Sequence, residues 1–136
     1  MRPSEEEEAK RLLVDIKRDV ISARDADAAD RFFAPDYEND VPGRAPGREG
    51  LKVALREFFA AFHDIEESVD VTLAEGDLVA TRSTMRATHR GAFLGVPPTG
   101  RRVVVAIQEI SLVREGRVAR QWVAIDFAGI LAQLRG

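Results

Sequence analysis

Cysteine is absent from this chain of 136 residues, and that absence excludes disulfides, thiolate metal sites, cysteine nucleophiles and iron–sulfur clusters. Histidine is scarce: His63 and His89 are the only two, too little for an expected zinc or iron centre. No apolar run approaches the ~20 residues that a membrane span requires. The opening Met1-Arg-Pro-Ser-Glu-Glu-Glu-Glu8 lacks the apolar stretch of a secretory signal, so a cytoplasmic protein without membrane association is expected. An excess of positive charge is missing as well. Twenty basic against twenty-three acidic side chains leave a net charge of −3, the wrong balance for a nucleic-acid footprint. No glycine-rich loop joins a strand to a helix, so a nucleotide cofactor is not expected either. What is present is ordinary for one soluble domain: 45% hydrophobic and 32% charged residues over a length that suits a single unit spanning 1–136.

The hydrophobic spacing supplies the elements. Ser4-Glu-Glu-Glu7 has the form of a capping box. Ala9, Leu12, Leu13, Ile16 and Val20 follow at helical spacing, which predicts a helix to about Ala23. Asp25 or Asp27 is placed to cap a short second helix that stops before Pro35, and Tyr37 to Val41 reads as a brief extended segment. Residues 41–50, with two prolines and three glycines, read as loop. Leu51, Leu55, Phe58, Phe59 and Phe62 mark a third helix. That stripe is first of all a core stripe, although its phenylalanines could also line a cavity. Beyond Asp64 the period becomes two, and strands are expected at 69–73, 78–90, 102–113 and 118–125, followed by a helix at 127–134. Helices followed by hairpin-connected strands make an α+β pattern with an antiparallel sheet. Strands this long twist and curl. The expected fold is therefore a cone-shaped curved sheet with three N-terminal helices over its concave face and an interior cavity.

Two motifs then carry a family resemblance. The run Thr88-His-Arg-Gly-Ala-Phe-Leu-Gly-Val-Pro-Pro-Thr-Gly100 resembles the THxGxFxGxPPTG segment of the SnoaL-like polyketide cyclases. Trp122-Val-Ala-Ile-Asp126 with Gly129-Ile-Leu-Ala-Gln-Leu134 resembles their WxxxD…GLLxQL ending, and the hairpin between the motifs turns on Glu115-Gly116. The resemblance covers nearly the whole chain. It implies the nuclear transport factor 2-like fold, often dimeric through its sheet. It also implies a chemistry without metal or cofactor: acid/base-catalysed intramolecular aldol closure of an apolar polycyclic or ester substrate in a hydrophobic pocket. Two other roles remain open on the same fold, a non-catalytic carrier of an apolar small molecule and an epoxide hydrolase-like enzyme.

The resemblance places the catalytic aspartate at Asp126. On an extended strand Trp122, Ala124 and Asp126 share a face, so Trp122 would be an aromatic wall beside the acid. The competing reading is that Asp126 caps the final helix. His89 shares a face with Met85 and is the second catalytic candidate, with a packed, hydrogen-bonded histidine as its alternative. Gln108 sits in an apolar run and would serve either a substrate oxygen or a neighbouring backbone group. Tyr37 and Asn39 would stand at the mouth of the cone, and Phe62, Met85 and Trp122 would contact substrate. Val103, Val104 and Val105 make their strand apolar on both faces, which calls for a cover on the outside, naturally a second subunit.

Overall fold

Helix α1 (Pro3–Ile16) has Ser4 inside its first turn rather than at its cap. The computed structural model describes residues 3–136. Helix α1 runs directly into a π-helical segment, Lys17–Ser22, a wider winding that is rare and concentrates at functional sites. Asp25, not Asp27, is the next cap: its carboxylate accepts the Ala28 N–H at 3.3 Å and starts a short 3₁₀ turn, Ala26–Ala28. Helix α2 (Ala29–Phe32) then leads into strand β1 (Phe33–Asn39).

The loop at 40–46 precedes α3 (Gly47–Ala61), and four long strands come after it: β2 (Phe62–Glu75), β3 (Leu78–His89), β4 (Arg102–Arg114) and β5 (Arg117–Ile125). A last helix, α4 (Phe127–Arg135), closes the chain. The strands form one sheet in the order β1-β5-β4-β3-β2. All neighbours are antiparallel except β1, which runs parallel to β5. The α+β architecture and the curved sheet are as expected, with β1 as a parallel edge strand and β2 beginning at Phe62. The β4–β5 hairpin turns on Glu115 and Gly116, both at positive φ (52° and 75°), which matches the twist of the strands it joins.

Inner and outer faces follow the period of two. On β4, Val103, Val105, Ile107, Glu109, Ser111 and Val113 are buried, while Val104, Gln108 and Ile110 face outward. Two buried clusters fill the two ends of the sheet. Leu13, Val20, Phe33, Val79 and Val118 pack at one end, and Phe59, Phe62, Ile65, Val103 and Ile130 pack at the other. Helix α4 also protects an edge. Residues 102–106 of β4 extend past the end of β5, and the Gln133 amide pairs with both backbone groups of Val104 at 2.8 Å each, as a neighbouring strand would. Among the described residues no helix is long and apolar enough to cross a membrane.

Candidate functional site

Between the two clusters lies a cavity of about 520 Å³. The helices supply Ile16, Val20 and Ile21 from one side and Leu51, Leu55 and Phe58 from another; the sheet supplies Met85, Ile107, Val123 and Ile125. The rim is built from the 41–44 loop, from Ala92, Phe93 and Leu94, and from Phe127. Phe93 closes one wall by packing edge-on to Phe62 at 5.0 Å and to Phe58 at 6.2 Å.

This apolar chamber has a charged floor. Lys17, at the start of the π-helical segment, bonds to Glu109 Oε1 and lies 3.0 Å from Glu67 Oε2. These three side chains are only 7%, 6% and 2% exposed, respectively. Ser83 donates to the same Glu67 oxygen at 2.6 Å. Gln121 Nε2 donates to Glu109 Oε2 and to Ser111 Oγ, both at 2.9 Å, and its own oxygen accepts the Tyr37 hydroxyl at 2.8 Å. Burial alone would lower the Lys17 ammonium, but the charges of Glu109 and then Glu67 outweigh it and hold the group above its ordinary range. Burial also pushes the Tyr37 phenol up, partly opposed by the Arg44 guanidinium, so both groups keep their protons.

The bonds divide the roles. Both oxygens of Glu109 are engaged, one by Lys17 and one by Gln121. Both bonds to Glu67 fall on Oε2, which leaves Oε1 as the carboxylate oxygen outside this network. An ammonium has three donors, and Lys17 directs two of them at carboxylates. The floor thus holds a proton acceptor beside a cationic donor, two carboxylates to one ammonium, in a water-poor setting where such charges act strongly. Among the described residues no three His, Cys, Asp or Glu side chains come together as a metal site.

Of the residues expected to form the site, Met85 lines the cavity. Tyr37 is fully buried and stands one hydrogen bond behind it, through Gln121. Phe62 is buried in the adjacent cluster, where it stacks on Phe58 at 4.7 Å. Asp126 does not project into the cavity. It is exposed and caps α4, accepting the Gly129 N–H at 2.8 Å. Trp122 shares its face, as expected, but that face is the outer one, where Trp122 is 37% exposed under the Arg120 guanidinium. Gln108 is exposed on the same side of the sheet. Asn39 caps the turn after β1 by accepting the Val41 N–H at 2.9 Å. His89 is fully buried, but it ties down the 91–100 connection instead of lining the cavity. Its Nδ1 lies 3.2 Å from the Thr99 N–H and 2.9 Å from the Thr99 hydroxyl.

Motif and pattern did not point to Lys17, Glu67 and Glu109. Each is a charged residue in phase with a buried stripe: Lys17 with Leu13 and Val20, Glu67 with Ile65, Glu109 with Val105 and Ile107. Charge at an in-phase position is the signal that finds them, because such a residue must be paired. Gln108 is one position out of phase.

The profile of the SnoaL-like polyketide cyclase family matches residues 11–134. No curated protein gives a significant match. Among solved structures, the chain is similar to IdmH of Streptomyces antibioticus, described as a candidate polyketide cyclase, at 32% identity over 94% of this chain and 99% of that one, with a TM-score of 0.80. A candidate polyketide cyclase from Acidithiobacillus ferrooxidans shares 28% identity over 99% and 98% of the two chains, with a TM-score of 0.86. AclR of Streptomyces galilaeus, described as a candidate hydroxylase, shares 28% identity over 96% and 82%, with a TM-score of 0.85.

Proposed function

This chain belongs to the SnoaL-like polyketide cyclase family, and from that premise we propose that it closes a ring in an apolar carbonyl compound by cofactor-independent acid/base chemistry in the interior cavity. The observation that supports this most directly is the pairing of Glu67 and Lys17 at the floor of an apolar chamber. Glu67 Oε1 removes a proton from the carbon beside a carbonyl, and the electron pair of that C–H bond becomes the enolate. The third N–H of Lys17 meets the enolate oxygen, where charge develops. The nucleophilic carbon adds to a second carbonyl of the same molecule and forms the new C–C bond. The alkoxide so formed takes the proton back from Glu67, so the aldol step is an isomerisation with nothing lost or gained. Glu109, Gln121 and Tyr37 hold Lys17 in place from behind.

The partial reaction needs no knowledge of the natural substrate. Exchange of the α-protons of 2-tetralone for deuterium, followed by proton NMR in heavy water, reports proton removal alone. The wild-type protein is expected to accelerate it, and Glu67→Gln to reduce the acceleration by about 10²–10⁴-fold, the usual worth of a positioned base. Wild-type exchange no faster than an equal concentration of acetate would overturn the proposal. That result would favour a carrier that holds an apolar molecule without converting it. One feature suits such a carrier: the Lys17–Glu109–Gln121–Tyr37 chain is already closed by its own bonds.

A further inference from the structure

Arg44 is a second cation in the cavity, and ring closure as proposed makes no use of it. It lies in the loop between β1 and α3, in a turn held by its N–H to the Val41 carbonyl at 3.3 Å, and it lines the cavity beside Val41 and Gly43. The residue is half-buried. Its guanidinium enters none of the ion pairs found among the described residues, whereas Lys17 is taken by two carboxylates and the nearby Arg48 by Asp30. Glu57, exposed on α3, is the other charged group on this rim and forms no ion pair with Arg44.

A guanidinium offers five N–H donors and no acceptor, in a planar fork that fits a carboxylate through two parallel bonds. Half-buried at the edge of the cavity and outside every ion pair among the described residues, the guanidinium keeps its fork free for an anion. An anion carried on an apolar body would meet that fork while the body fills the chamber.

We infer that Arg44 is the specificity-determining residue of this site, and that the ligand is an apolar carbonyl compound keeping one free carboxylate at the end remote from the reacting carbons. An uncharged ester would leave the guanidinium unpaired. This inference rests on the cavity being the binding site, as the proposed function requires, but not on Glu67 being the base.

Two fluorescent probes with one skeleton test it: 1-anilinonaphthalene-8-sulfonate, which carries an anion, and N-phenyl-1-naphthylamine, which does not. In the wild type each should displace the other, because they share the chamber. Arg44→Gln should weaken the sulfonate probe by about tenfold and leave the neutral probe within about twofold, the scale of one charge-assisted contact. Arg44→Lys should recover part of the loss, since the charge stays and the fork does not. Equal changes for both probes, or an unchanged sulfonate probe in Arg44→Gln, would overturn the assignment. Glu67→Gln should keep the probe discrimination and lose only the deuterium exchange, so failure of this inference and failure of the proposed chemistry are read in separate assays.

Discussion

Lys17 is the residue on which the interior depends. Replacing it with methionine would leave Glu67 and Glu109 facing each other in a buried site without a cation, a kind of change that costs about 3–5 kcal/mol. The urea midpoint of Lys17→Met should fall accordingly. Replacing Lys17, Glu67 and Glu109 together by apolar residues of similar volume should recover only part of that loss: the charges leave together, but the buried Ser83 hydroxyl and a Gln121 N–H lose their carboxylate acceptors. The pH dependence has a definite sign. Lys17 and Tyr37 both hold their protons more tightly folded than unfolded, relative to ordinary values of 10.5 and 10.0. The stability they contribute is complete below those values and is lost as pH rises through the higher folded ones. Denaturant midpoints should therefore hold through neutrality and drop by about pH 11, with a shallower drop in Lys17→Met. These are also the residues least legible beforehand. The chemistry of a site draws attention to motifs, and the motif acid Asp126 is a helix cap, whereas the buried acids sit in strands whose pattern reads as plain core.

At the scale of elements the sequence was far more informative. The switch from a period near 3.6 to a period of two at Asp64 located the change from helices to sheet, and Leu51, Leu55 and Phe59 identified α3. The connections account for what was missed. The extended segment expected at 37–41 belongs to strand β1, which begins earlier, at Phe33; it contains Pro35 and pairs with β5 from far along the chain, a contact that no local pattern encodes. The motif glycine at 91 has a purely steric reason: a Cβ there would lie 2.3 Å from the Ala60 carbonyl oxygen. At this spot the backbone N–H groups of Arg90 and Gly91 both reach the Ala61 carbonyl, at 2.8 and 3.0 Å. Gly91→Ala should push the connection away from α3, release the wall formed by Phe93, and lower the melting temperature by several degrees, about 1–3 kcal/mol of overpacking. Differential scanning calorimetry would detect it, and an unchanged melting temperature would show that the close approach is not needed.

For the whole molecule, the outer sheet face is the surface that one chain leaves uncovered. Val71, Leu73, Ile110 and Trp122 line one shallow groove across β2, β3, β4 and β5 and stay exposed, Leu73 by 65%. Paired charges flank it, Arg82 with Asp70 and Arg120 with Glu38, so two copies of the face can meet without a clash of like charge. We propose that a second copy of this chain covers it through a two-fold contact. Light scattering at micromolar concentration should give twice the 15.0 kDa chain mass, and Ile110→Glu should return the single-chain value. A wild-type mass of one chain would contradict the pairing.

The proposed chemistry puts proton transfer on the buried floor of the cavity and not on the exposed acid that follows β5 and caps α4. Deuterium exchange into 2-tetralone decides between them when Glu67→Gln and Asp126→Asn are compared side by side. Asparagine caps a helix as well as aspartate does, so Asp126→Asn should keep both the fold and the wild-type exchange rate, while Glu67→Gln falls toward the rate in buffer. The reverse order, with exchange lost in Asp126→Asn and kept in Glu67→Gln, would assign the proton transfer to Asp126 instead.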